Sequence, residues 1–212
     1  MAKLKPILLP VLFISAVTII IIGFIYKPKA THTAPIQTMP TSFVYVEKNE
    51  LLKDMAQYPN ISDCVKADIV NTVVFEAKRY NINPLILYSL LHVESSMQFW
   101  LTHKPVIITI HKKKIHTAAI GLGGVIWEWW GEKLVKAGIA QVKSDLYDPI
   151  KNIRATAFIY GELYKIPKHI SADSQDESAM LRYFGGDFKV YFEKIDSKVG
   201  EIVSKIIYRK KK

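Results

Sequence analysis

The chain has 212 residues, half of them hydrophobic and 23% charged, which excludes a disordered chain and leaves room for one domain with a real core plus an appendage. A net charge of +10 points to anionic partners: nucleic acid, a lipid surface or an acidic wall polymer. The one cysteine, Cys64, excludes an intramolecular disulfide and reads as a small buried hydrophobe near a helix start.

From Pro6 to Tyr26 the chain carries no charge over 21 residues, enough to span a bilayer as a helix. Lys3 and Lys5 precede this segment and Lys27 and Lys29 follow it, so flanking charge gives no orientation. A cleaved signal peptide is the rival reading, but its apolar core is usually shorter, and no small-x-small site follows Tyr26. We therefore expect a basic flank at 1–5, an anchor at 6–26, a Pro- and Thr-rich linker at 27–45 and a folded domain at 46–212. Only four of the 29 basic residues lie in the first thirty, so the folded part is basic by itself against 19 acids.

The folded part reads as mainly α. Ser62 is placed to cap a helix from Asp63 to about Tyr80, with Val65, Ile69 and Val73 as its apolar stripe. Asn83 and Pro84 are the cap and first position of the next helix. "VIITIHKKKIH", from Val106 to His116, is β-branched with lysines near its middle and predicts a short basic hairpin. Helix returns at Gly124–Lys136, with Gly138 just past its end. Asp148 and Pro149 open another helix to about Tyr164, and two more are expected near 174–184 and 188–208. The last residues, "YRKKK", read as a solvated basic end. There is no internal repeat, and "GLGG" at Gly121 lacks the setting of a phosphate loop.

The chemistry centres on "LLHVESSMQ". Leu87, Leu91 and Glu94 are spaced i, i+4, i+7 and share one helix face, so a carboxylate extends an apolar stripe. Burial disfavours its charged form and raises its pKa, as a general acid near neutral pH requires. The stripe alone leaves Glu94 either a satisfied structural residue or a working acid. Glu128 and Glu132 share a face of the "WEWWGEKL" helix and read as solvated beside Lys133 and Lys136; either would be the second acid if it reached a cleft. Trp127, Trp130 and Leu134 form a core stripe, whereas Trp129 lies off it and Trp100 sits just beyond Glu94. His111 and His116 flank the hairpin lysines without a third ligand, so no metal and no cofactor is expected. Lys112, Lys113 and Lys114 suit an anionic polymer or a protein partner, and the absence of any recognition motif argues against nucleic acid.

Four segments together resemble the lytic transglycosylases of the goose-lysozyme-like, SLT-domain superfamily. "YNINPLILYSLLHVESS" is similar to the first motif, a helix opening at Asn-x-Pro and ending in Glu-Ser. "AIGLGG" at Ala119–Gly124 resembles the second, Ala-x-Gly-Leu-Met-Gln. "DPIKNIRATAFIYGELY" resembles the third through Asp148, Pro149, Asn152, Ile153, Ala157 and Tyr160. "AMLRYFGG" at Ala179–Gly186 resembles the fourth, Ala-Leu-x-x-Tyr-Asn-x-Gly. The order is right over roughly 105 residues, most of the folded part.

The resemblance implies a lysozyme-like helical domain with a short hairpin. It implies that Glu94 acts as lone acid and base on the β-1,4 bond between N-acetylmuramic acid and N-acetylglucosamine, leaving a 1,6-anhydro end without consuming water. Ser95, Gly121, Leu122 and Tyr183 are carried over as substrate-binding positions, with Tyr183 hydrogen-bonding near the Glu, and Trp129 is added as a sugar platform. The implied partners are peptidoglycan strands, the membrane through the N-terminal helix, and a secretion, conjugation or flagellar assembly, from a bacterial inner membrane with the domain on the wall-facing side. Two departures stand out: Gly123-Gly124 replaces Met-Gln, and Phe184 replaces Asn. They suggest rewritten sugar contacts around a retained acid. A non-catalytic wall-binding or assembly module on the same fold, or a hydrolytic lysozyme, is the alternative.

Overall fold

The computed structural model describes residues 48–167, 174–184 and 188–210. The expected flank at 1–5, anchor at 6–26 and linker at 27–45 lie outside these residues, as do His32, His169, Gly185, Gly186 and the last two lysines. Among the described residues, no helix is long and apolar enough to cross a membrane.

Seven α-helices and one two-stranded sheet are described: α1 (Lys48–Met55), α2 (Asp63–Tyr80), α3 (Pro84–Ser95), β1 (Val106–Ile110), β2 (Lys113–Thr117), α4 (Trp127–Lys136), α5 (Pro149–Tyr164), α6 (Gln175–Phe184) and α7 (Phe188–Lys210). The domain is therefore mainly helical with a short antiparallel hairpin, as the sequence leads one to expect.

The helix starts follow local chemistry. Ser62 Oγ accepts from Val65 N at 3.5 Å at the head of α2. Asn83 Oδ1 accepts from Leu85 N at 2.9 Å before Pro84. Asp148 Oδ1 accepts from Ile150 N at 2.8 Å and Lys151 N at 3.0 Å before Pro149. Each cap satisfies backbone donors that the first helical turn leaves open. The α4 start is the exception: helix begins at Trp127, three residues later than expected, because Ile120 and Val125 pair as an antiparallel bridge and hold the glycines in a turn. In the hairpin, Val106 faces Thr117, Ile108 faces Ile115 and Ile110 faces Lys113. The turn is His111-Lys112, both at positive φ (49° and 64°), so Lys113 and Lys114 belong to β2 rather than to the turn.

α3 is the central element. Leu85, Leu87, Tyr88, Leu90 and Leu91 are all buried, so apolar side chains cover every side of the helix and the Leu87–Leu91 stripe is one of several packed faces. α2 and α7 pack against α3, and α5 packs on α2 and α6. At the α2–α5 crossing, Gly161 lies so close to Tyr80 that an added methyl would sit 2.8 Å from the ring. Ile69 and Val73 of the α2 stripe are fully buried, but Cys64 is exposed, against expectation. It precedes that stripe in the first turn, on a side the core does not cover.

α7 is held by a buried charge. Asp54 of α1 accepts from Tyr88 Oη at 2.9 Å and pairs with Lys198 Nζ at 3.2 Å and Lys205 Nζ at 3.4 Å. Asp54 and Lys198 are both about 4% exposed. Removing one partner of such a pair strands the other in a poorly solvating interior. Asp54→Ala is expected to destabilise the domain by about 3 kcal/mol or more, read as a lowered urea midpoint, and to cost more than Lys205→Ala at the exposed rim.

Candidate functional site

The site is built on the loop between the hairpin and α4. Gly121 and Gly124 have φ of +73° and +62°, and Gly124 N donates to Gly121 O across the turn at 3.2 Å. Asn152 of α5, fully buried, holds this loop. Its Nδ2 donates to Ile120 O at 2.9 Å and Leu146 O at 2.8 Å, and its Oδ1 accepts from Gly123 N at 2.8 Å. Both amide donors and the acceptor are thus used on backbone. The fit excludes side chains: a methyl on Gly123 would fall 1.8 Å from Thr156 Oγ1, and one on Gly124 would fall 2.6 Å from Glu94 Oε2 and 3.6 Å from His103 Cε1.

Glu94 lies in the last turn of α3, which stops where Ser96 turns left-handed (φ 50°). Its carboxyl faces a groove of about 820 Å³, whose lining includes His103, Gly124, Trp129, Tyr183 and Phe184. One wall is β1, from Val106 to Thr109. Among the described lining residues, Glu94 is the sole carboxylate. Desolvation pushes its pKa from the ordinary 4.5 up to about 7, against a hydrogen bond from Tyr191 that favours the charged form. Tyr191 Oη donates to Glu94 Oε1 at 2.5 Å, and its own pKa is raised by burial and by the adjacent carboxylate. Phe184 stacks on the Tyr191 ring with centroids 4.0 Å apart and planes 12° from parallel.

His103 completes the floor. Its ring Nε2 is buried with no hydrogen-bond partner among the described residues. Burial lowers its pKa, opposed by a hydrogen bond to the Gly121 backbone, so the ring is neutral near pH 7. No three His, Cys, Asp or Glu side chains cluster as a metal site among the described residues.

Of the expected site residues, Glu94, Tyr183 and Trp129 come together on the groove. Tyr183, however, donates its hydroxyl to Gly123 O at 2.6 Å, and the bond to the acid comes from Tyr191. Trp129 is half exposed, as a stacking platform requires; Trp130 lines the groove beside it, with Lys133 Nζ 4.7 Å from its ring centre. Ser95, Gly121 and Leu122 sit behind the groove. Ser95 Oγ bonds back to Leu91 O at 2.9 Å, Leu122 is fully buried, and Gly121 gives its N–H to Leu101 O at 2.9 Å. Trp100 is half exposed and packs edge-on against Phe99 away from the groove lining. Glu128 is no second acid: although burial opposes it, hydrogen bonds from Lys143 (2.7 Å) and Thr117 hold its carboxyl below the usual range. Glu132 is exposed.

Sequence reasoning missed Tyr191 and His103. Tyr191 stands in the α7 series with Ile195, Ile202 and Ile206, all buried, and that spacing reads as core. His103 had no partner in the sequence to single it out. Compared with known proteins, the chain matches no family model, no curated protein and no solved structure.

Because folded Glu94 holds its proton to about pH 7 and the unfolded side chain releases it near 4.5, the carboxyl penalises the folded state progressively between those values and fully above them. Glu94→Gln should therefore raise stability at pH 8 by up to about 3 kcal/mol and change it little at pH 4, measured by urea unfolding at both pH values. Tyr191→Phe removes a bond that favours the carboxylate, so the Glu94 midpoint should move above about 7, followed by carboxyl ¹³C shifts.

Proposed function

We propose that the chain is a peptidoglycan lytic transglycosylase on a lysozyme-like fold, tethered to a bacterial inner membrane by residues 6–26 and working on the wall-facing side. The observation that carries this reading is a carboxyl, the one among the described lining residues of the groove, that stays partly protonated near neutrality and is set among aromatic side chains suited to sugar rings. Glycosidases that use water generally place two carboxylates across the scissile bond. Here Glu128 is engaged elsewhere, which favours a mechanism with one group.

Neutral Glu94 donates its proton to the bridging oxygen as the C1–O4 bond breaks. Tyr191, hydrogen-bonded to Oε1, supports the carboxylate that results. The substrate's N-acetyl group steadies the cationic sugar. Its C6 hydroxyl then attacks C1, forming the C1–O6 bond, and the hydroxyl proton returns to Glu94. Atoms balance without water, and the acid is regenerated. Trp129 is positioned to stack on a sugar, and Tyr183 sets the groove wall through Gly123. A tethered enzyme of this kind suits local wall opening for a secretion, conjugation or flagellar assembly.

The departures at Gly123, Gly124 and Phe184 favour a second reading, a non-catalytic wall-binding module, because they remove two side-chain amides from the groove. The test is digestion of purified peptidoglycan by the full-length chain, with the products read by mass. Anhydro ends are expected. Glu94→Gln should lower their rate by at least about a hundredfold, and the wild-type rate should fall as pH rises through about 7. Hydrated ends would make the protein a lysozyme, and binding without products would establish the second reading.

A further inference from the structure

The hairpin has a feature that a neutral sugar strand does not explain. Lys104 and the β1 residues Val106–Thr109 line the groove that holds Glu94. Lys114, exposed, stands directly across from the groove residue Thr109, with Cβ atoms roughly 5 Å apart in such pairs. Lys113 and Lys112 follow at the tip. Among the described residues no salt bridge joins a carboxylate to Lys104, Lys112, Lys113 or Lys114, in contrast to Lys143, which pairs with Glu128, and Lys151, which pairs with Asp145. Lys133 and Arg182 also line the groove. Among the described lining residues the one carboxylate is Glu94, which burial keeps partly protonated near pH 7. The groove wall thus carries uncompensated positive charge beside an exposed strand: Ile107 is 59% exposed, and among the described residues β1 pairs on one edge, in a two-stranded sheet. An unpaired strand edge is a template for an extended peptide.

We propose that the hairpin binds the carboxylate-bearing stem peptides that branch from the glycan strand, with the free edge of β1 as backbone partner and Lys104 and Lys114 as charge partners. This rests on the peptidoglycan reading and adds the part of the substrate that the hairpin recognises. Glycan provides the rings for Trp129; the stems provide the anionic groups that the sugar backbone lacks. The five residues of β1 span roughly 17 Å, room for a short extended peptide.

The full-length chain in detergent is given two substrates: intact peptidoglycan, and the same strands stripped of stems by an amidase, with the lactyl carboxylates that this hydrolysis exposes capped as primary amides. Both cutting and co-sedimentation are measured. The wild type should cut and bind intact material roughly tenfold better at low salt, with the preference collapsing at about 0.5 M salt. Lys104→Gln/Lys114→Gln, at two exposed positions, should treat both substrates alike. Equal handling of the two substrates by the wild type, or a preference that survives in the double variant, overturns this inference and leaves the transglycosylase reading standing. If the wild type binds without cutting, co-sedimentation carries the same comparison. A wild type that neither binds nor cuts either substrate overturns both.

Discussion

The Asn152 side chain is the constraint on which the site depends. A buried primary amide costs stability unless its donors and acceptor are matched, and here all are spent on the backbone of one turn and the segment before α5. The amide fixes the path of residues 120–123 against α5. That path brings Gly124 against the Glu94 carboxyl and presents the Gly123 carbonyl to Tyr183. Two regions distant in sequence, the end of α3 and the end of α6, thus acquire their relation to each other through a turn that neither contains.

Glu94 is poised by opposing influences. Burial favours its neutral form, and Tyr191 favours its charge. The larger of the two decides the resting state, and the smaller lowers the cost of reaching the other state. A carboxyl equally desolvated but without that donor would hold its proton to a higher pH. The Phe184 ring, stacked on Tyr191, keeps that donor in place and is itself supplied by the motif position where the resemblance calls for an amide.

Much of the scaffold was legible in the sequence because its signals are local. Ser62, Asn83-Pro84 and Asp148-Pro149 act within a turn of where they stand, and the β-branched run at Val106 needs only its own hairpin. Glu94 was legible because a charge interrupts an oily helix. The elements that set its chemistry were not, because they are assembled by packing. Tyr191 arrives from α7, 97 positions away, and in sequence it is indistinguishable from the buried series around it. Ser95 fails as a groove residue for the converse reason: adjacency in sequence to the acid turns its hydroxyl by about 100° around the helix, into the backbone of the preceding turn.

The bare Cα of Gly124 has a consequence for how the chain can change. The space that a side chain would need at this position is occupied by the acid itself, and the backbone there is left-handed. A side chain at residue 124 and the present seating of the Glu94 carboxyl therefore compete for the same space. Any side chain placed there must move the Glu94 carboxyl aside and adopt a left-handed backbone. In three dimensions the bare Cα is the clearance in which the Glu94 carboxyl sits at the groove.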